Sequence, residues 1–116
     1  MNARRILFVI AHPPRRGALA LEPLDELLVG AAFEQTVSVL FVGDGVYQLL
    51  DNQAAIDNGS RGYRALPTYE VEDIYVEKRA MEQRGLSTDA LALRARILSR
   101  RAIQSLIAAQ DVVVPD

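Results

Sequence analysis

Short apolar runs recur along the chain and are separated by longer mixed segments, a pattern that predicts strands connected by helices. Consecutive apolar residues predict buried strands over residues 4–10 and 37–42, because a run without polar alternation suits a sheet that is covered on both faces. Shorter runs predict a third strand over 73–76, a fourth within 94–98 and a final strand over 111–115, which ends at a proline.

Helical spacing occurs between these strands. Leucine and alanine recur at helical intervals over 21–31, which predicts a helix that ends near residue 33. One or two helical turns are predicted over 79–84, followed by Gly85 and Leu86 as a left-handed cap with its hydrophobic contact. Ser99 is predicted as the N-cap of a last helix that reaches about residue 110. The buried stripe predicted for this last helix consists of Ile103, Leu106 and Ile107.

This alternation predicts an α/β fold with three layers: a mostly parallel five-stranded sheet with helices on both faces, in a flavodoxin-like architecture. The 116 residues suffice for one core, so we expect a single domain over 1–116. Residues 51–61 are polar and contain the turn signal Asn58-Gly59, which predicts a mobile segment. Residues 64–72 are expected to be irregular or to form a brief helix broken at Pro67.

The second strand leads directly into a Gly-Asp-Gly turn over 43–45, and a short apolar helix or turn is predicted over 46–50. Open α/β sheets place their sites at the carboxyl ends of strands, so this turn is a candidate site. It lacks the glycine spacings of dinucleotide and phosphate loops. We therefore interpret Gly43 and Gly45 as residues that permit a sharp turn, and Asp44 as a cap of the helix that follows.

The composition narrows the possible chemistry. The chain has no cysteine, so it has no disulfide, no thiolate ligand for a metal and no sulfur nucleophile of its own. Its net charge of −2 argues against direct binding of nucleic acid, which usually needs a basic excess. Half of the residues are hydrophobic, and the mean hydropathy of +0.07 suggests apolar surface reserved for a partner or, alternatively, a tightly packed sheet.

No segment of the sequence predicts membrane insertion or export. The apolar run at 6–11 is too short for a secretory signal. No other run approaches the ~20 residues of a membrane span. The predicted location is therefore the cytoplasm, without a membrane partner.

Other side chains that could carry chemistry are few. His12 follows the first strand, but the sequence has no second histidine to complete a metal site, and a solvated loop histidine is the favoured interpretation. The carboxylates of Glu70, Glu72, Asp73 and Glu77 flank the third strand and could do acid–base work, although a solvated strand end is more common. The sequence predicts no metal, no cofactor and no catalytic residue.

The segment D-G-V-Y-Q-L-L at 44–50 is similar to D-G-V-x-Q-L-L, a signature of the DsrE/DsrF-like sulfur-relay family and, within it, of the TusC/DsrF group of subunits. Residues 5–9 and 24–28 are similar to the family's first strand and helix. Residues 74–86 resemble its third strand and the following helix, which end in R-G-L.

The resemblance implies a role without sulfur transfer by this chain. In the related TusD/DsrE-like subunits a cysteine that carries a persulfide lies eight residues before the glycine of R-G, and Glu77 stands at that position here. The family assembles as a heterohexamer with TusB/DsrH-like and TusD/DsrE-like subunits and passes sulfur to a downstream carrier protein. The resemblance thus implies a non-carrying subunit that supports 2-thiolation of the tRNA wobble uridine and contacts tRNA only indirectly.

Other functions stay open at this point. A homologous subunit in cytoplasmic sulfur oxidation fits the same residues, and a free-standing flavodoxin-like module that binds a small ligand is a further alternative. The last alternative is an enzyme that uses Glu77 or His12. Whether the chain is an enzyme is open, and no catalysis is expected from the chain alone. The predicted partner surface lies at the carboxyl edge of the sheet, on the turn over 43–50 and the strand end over 76–79. Its predicted contact residues are Gly43, Asp44, Gly45, Tyr47, Leu49 and Leu50.

Overall fold

A computed structural model describes residues 4–13, 35–50, 63 and 66–116 of the chain. Its five strands are β1 (Arg5–Ile10), β2 (Thr36–Phe41), β3 (Asp73–Glu77), β4 (Arg96–Leu98) and β5 (Val112–Pro115). The described residues include the α-helices α1 (Lys78–Gln83) and α2 (Arg100–Ala108) and 3-10 helices at Gly43–Leu49, Leu66–Tyr69 and Thr88–Ala90. The predicted helix ending near residue 33 and the predicted mobile segment 51–61 lie outside the described residues.

The five strands form one sheet in the order β4-β3-β2-β1-β5, and all neighbouring strands run parallel. The predicted parallel five-stranded sheet is therefore confirmed, and each strand lies within about two residues of its predicted position. β2 extends the sheet from β1 in one direction, whereas β5 returns to the other side of β1. Because these strands run parallel, the carboxyl ends of β1, β2, β3 and β5 lie along one edge of the sheet.

One face of the sheet carries the main core. Alternation along the strands places Phe8, Val39 and Val76 on this face. The connection from β2 to β3 covers it, and α1 adds Ala80 and Met81. The buried residues that the β2–β3 connection contributes are Val46, Leu49, Tyr63, Leu66 and Val71.

The opposite face carries Leu7 and Leu40, which are also fully buried. The connection from β4 to β5 runs back across the sheet, opposite to the direction from β2 to β3. Because such parallel crossovers are right-handed, α2 lies on this second face. Helices thus cover both faces, as a three-layer α/β fold requires.

Two predicted helix caps are confirmed, and the predicted buried stripe of the last helix is wrong. Gly85 has a φ of 63°, and the amide of Leu86 donates to the carbonyl of Met81 at 2.9 Å, which is a left-handed cap. The Ser99 hydroxyl accepts from the amide of Ala102, as predicted for an N-cap. The predicted buried stripe of α2 is wrong, however: no residue of this helix is fully buried, Ile103 and Leu106 are half-buried, and Ile107 is 40% exposed.

The segment before β3 differs from the predicted break at Pro67. Residues Leu66–Tyr69 form a continuous 3-10 helix that contains this proline. Proline is tolerated in the first turn of a helix because its missing N–H would have no partner there. None of the helices among the described residues is long and apolar enough to cross a membrane.

Candidate functional site

The turn after β2 lies against the end of β1 because of its glycines. Gly43 has a φ of 50°, a left-handed conformation that residues with a side chain adopt at a cost. A Cβ at Gly45 would lie 1.8 Å from the carbonyl oxygen of Ile10, so the backbone approaches β1 too closely for any side chain. This close approach directs the 3-10 helix Gly43–Leu49 back over the edge of the sheet.

Glu77 holds this turn from the neighbouring strand. The amide of Gly43 donates a hydrogen bond to Oε1 of Glu77 at 3.1 Å. Glu77 is half-buried and precedes α1, but its side chain makes no capping bond to that helix. The carboxylate therefore joins the end of β3 to the turn after β2.

Asp44 makes a tertiary ion pair, so the prediction that it caps the 3-10 helix is wrong. That helix has no side-chain cap at its start. Oδ1 of Asp44 instead accepts from Nη2 of Arg84 at 2.7 Å and from Nε at 3.2 Å. Arg84 also donates to the carbonyl of Ala80 at 3.1 Å, and its guanidinium lies 5.8 Å from the ring centre of Tyr47. The end of α1 is thereby joined to the turn.

The predicted surface residues differ in how accessible they are. Leu49 is 1% exposed and packs in the core, and Gly45 is buried. Tyr47 and Leu50 are half-buried, and Asp44 is exposed. Leu50 also pairs with Leu91 in an isolated antiparallel bridge. The part of this edge that another molecule could contact thus consists mainly of Asp44, Tyr47 and Leu50.

His12 has a carboxylate partner that the sequence did not reveal. Nδ1 of His12 lies 3.0 Å from Oδ1 of Asp116, and the His12 side chain is 50% exposed. The Asp116 carboxylate also accepts from the amides of Ala11 and His12, at 3.0 and 3.1 Å. The interpretation of His12 as a solvated loop residue is therefore incomplete. No local signal could have found the pair, because its members are 104 residues apart.

Tyr63 lies beneath this edge. Its ring meets that of Phe41 edge-on, with centroids 5.4 Å apart. Burial raises the pKa of the Tyr63 hydroxyl well above its ordinary value, and the negative charge of Asp116 raises it further. Tyr63 consequently keeps its proton throughout the physiological range and adds no charge to the site.

The acidic residues around β3 do not form one cluster. Glu70 and Glu72 precede the strand and Asp73 begins it, whereas Glu77 ends it, so they are divided between its two ends. Within residues 4–13, 35–50, 63 and 66–116, no three histidine or acidic side chains are grouped so that they could hold a metal ion. Among the described residues, the polar side chains at this edge include the carboxylates of Glu77 and Asp116, the imidazole of His12 and the guanidinium of Arg84.

Three comparisons with known proteins agree with this architecture. A family model described as the DsrE/DsrF-like family matches residues 4–115. The chain is 33% identical to the "Protein TusC homolog" of Pseudomonas aeruginosa, over 97% of this chain and 98% of that protein. It is 31% identical to the "Protein TusC homolog" of Aliivibrio fischeri, over 95% and 97%.

Two further similarities concern a differently named relative and a solved structure. The chain is 41% identical to the "Intracellular sulfur oxidation protein DsrF" of Allochromatium vinosum, over 76% of this chain and 68% of that protein. The crystal structure of the ychN protein from E. coli has a TM-score of 0.75, with 19% identity, over 97% of this chain and 99% of that one. At that identity the likeness shows the fold alone.

Proposed function

The chain belongs to the DsrE/DsrF-like family, and we propose that it is a subunit of a sulfur-relay complex that does not itself carry sulfur. The observation that carries this proposal is Glu77. It stands where the resemblance implies the persulfide cysteine of a carrier subunit, and its carboxylate accepts from the amide of Gly43. A carboxylate cannot form a persulfide, and the chain has no cysteine elsewhere.

The proposed complex is a heterohexamer with homologous TusB/DsrH-like and TusD/DsrE-like subunits in the cytoplasm. Sulfur would pass from the cysteine of the carrier subunit to a downstream carrier protein, and finally to the wobble uridine of tRNA. This chain would meet tRNA only through the complex, in keeping with its net charge of −2. Two relatives named as TusC homologues support this role, because they match the chain over almost its whole length.

The second candidate is the equivalent subunit of a complex for cytoplasmic sulfur oxidation. The 41% identity to the sulfur oxidation protein DsrF favours it, although that match spans a smaller share of both chains. Both candidates predict the same partners and the same non-carrying role. They differ only in the acceptor that finally receives the sulfur.

Complementation separates these candidates. The chain is expressed, together with its two homologous subunits, in a bacterial strain that lacks its own subunits for tRNA thiolation. Mass spectrometry of digested tRNA then measures 2-thiouridine at the wobble position. Restoration only when all three chains are present is the expected result. Absence of 2-thiouridine from a complex that has assembled and transfers sulfur would favour sulfur oxidation instead.

Purification tests the partnership itself. Obligate interfaces bury on the order of 2,000 Å² or more and resemble a split core. We therefore expect the chain alone to be poorly soluble or self-associated, and to co-purify with both homologues when they are co-expressed. A well-folded monomer that binds neither homologue would overturn the proposal and leave a free-standing ligand-binding module as the better explanation.

A further inference from the structure

The carboxylate of Asp116 is fully engaged at the carboxyl edge of the sheet. Its side chain is only 5% exposed. Oδ1 accepts from the amide of Ala11 at 3.0 Å and contacts Nδ1 of His12 at 3.0 Å, while Oδ2 accepts from the amide of His12 at 3.1 Å. These three donors fix the orientation of the carboxylate, so that Oδ1 is held against Nδ1 of the imidazole.

This contact determines which nitrogen of His12 is available. A carboxylate accepts hydrogen bonds, so the proton of the neutral imidazole lies on Nδ1, and Nε2 keeps its lone pair. The His12 side chain is 50% exposed, which leaves Nε2 open to an incoming group. A histidine that is oriented at Nδ1 by a buried carboxylate and open at Nε2 is the arrangement that enzymes use for proton transfer.

The imidazole is also fixed through its backbone. The side-chain amide of Gln48 donates to the carbonyl of His12 at 3.3 Å, and Gln48 itself is buried. The amide of Val42 donates to the carbonyl of Ile10 at 3.0 Å, just before this loop. Ala11 and His12 are therefore held by Asp116 on one side and by the 3-10 helix Gly43–Leu49 on the other.

We propose that His12 and Asp116 form an acid–base dyad that takes the proton from a cysteine thiol of a partner chain docked at this edge. The inference rests on the proposed function, since this chain has no cysteine and the thiol must come from a partner. A cysteine thiol is mostly protonated at neutral pH and must lose its proton before it can attack. Imidazole is the side chain that enzymes use most often as a general base.

The step balances without any further reactant. The acceptor thiol gives its proton to Nε2 of His12 and becomes a thiolate. This thiolate attacks the outer sulfur of the persulfide on the carrier cysteine, so that a new sulfur–sulfur bond forms and the old one breaks. The carrier cysteine leaves as a thiolate and takes the proton back from the imidazolium. The charge of Asp116 stabilises that imidazolium in between, and Tyr63, which faces Asp116, stays neutral.

The test is single-turnover sulfur transfer in the reconstituted complex. The homologous subunit that has the cysteine is loaded with labelled persulfide, and transfer to the cysteine of the downstream carrier is timed with this chain present and absent. General-base removal typically costs 10²–10⁴-fold, and because His12 is half exposed we expect about 100-fold slowing in His12→Gln. Glu72→Gln removes an exposed charge at the other end of β3 and should leave the rate unchanged.

Two further measurements distinguish proton transfer from a structural role. Sulfur transfer with the wild-type chain should be slower in D₂O than in H₂O, because a proton moves in the step, and His12→Gln should lose this solvent isotope effect. Added imidazole should partly restore the rate of His12→Ala but not that of the wild type. His12→Gln transferring at the wild-type rate, in an assembled complex, would overturn the dyad and leave the proposed function intact. Sulfur transfer that proceeds at the same rate without this chain would overturn both the dyad and the proposed function.

Discussion

The amide of Gly43 donates to Oε1 of Glu77 at 3.1 Å, which joins the turn after β2 to the end of β3. Glu77 stands at the position where the family resemblance implies the sulfur-carrying cysteine of a homologous subunit. In this chain the position therefore stabilises the shape of the sheet edge. A hydrogen bond to an ionised acceptor contributes about 1.5–3 kcal/mol when it is shielded from water, and less at a half-buried site such as this one.

Sulfur acceptance is the first property to test. We expect no stable gain of a sulfur atom when the chain is incubated with a persulfide donor, because no thiolate is present to receive it. Glu77→Cys is the matched positive control and should gain one sulfur atom, since residue 77 is half-buried at the edge. Intact-mass measurement checks both. A sulfur adduct on the wild-type chain would contradict the non-carrying role.

The close approach of Gly45 to β1 predicts a large cost for adding one methyl group. The new Cβ of Gly45→Ala would lie 1.8 Å from the carbonyl oxygen of Ile10, so backbone must move, and the free energy of unfolding should fall by roughly 3 kcal/mol or more. Gly85→Ala is the control, because its Cβ meets open space and only its φ of 63° is unfavourable. That strain costs about 1–2 kcal/mol. Urea unfolding measures the free energy of both variants, in whichever assembly state is soluble. Equal losses of unfolding free energy in the two variants would contradict the close approach of Gly45 to β1.

The raised pKa of the buried Tyr63 hydroxyl predicts that the protein loses stability at alkaline pH. Its pKa is raised by burial first and by the charge of Asp116 second, so the folded state keeps the proton after the unfolded chain has released it. Stability from this group is complete below the unfolded pKa of about 10 and then falls by about 1.4 kcal/mol per pH unit as pH rises toward the folded pKa. Tyr63→Phe should remove this contribution to the slope. Urea unfolding at pH values from about 9 to 11 tests it, and parallel curves for the two proteins would contradict it.

Tyr47 provides a test of the predicted partner surface. It is half-buried beside the Arg84–Asp44 ion pair, where an aromatic ring could anchor another subunit. Tyr47→Ala should weaken assembly by about 2 kcal/mol, a typical cost for an interface anchor, without unfolding the chain. Tyr75→Ala is the matched control, since Tyr75 is also half-buried but lies on the face of the sheet that carries Leu40. If the Tyr47→Ala chain and the wild type co-purify equally with the homologous subunits, the interface lies elsewhere.

Local features of this protein followed from the sequence because their causes are local. The apolar runs of β1 and β2, the left-handed cap at Gly85 and the N-cap at Ser99 each depend on residues within a few positions. The sequence alone also shows that the chain has no cysteine and therefore no thiolate of its own. The resemblance at 44–50 and 74–86 indicated the family before any geometry was known.

Tertiary structure decided how the side chains of the edge are used. Asp44 looked like a local cap, but it pairs with Arg84, 40 residues away, because the close approach of Gly45 to β1 turns the helix toward the end of α1. Ile103, Leu106 and Ile107 fit a buried stripe by spacing, yet in α2 the first two are half-buried and Ile107 is exposed.

The contacts of His12 and Glu77 could not be predicted from the sequence either. His12 meets Asp116 only because β5 returns to lie beside β1, and Glu77 meets Gly43 only because β3 lies beside β2. Strand order brings these groups together across 104 and 34 residues, and no periodicity in the sequence encodes it.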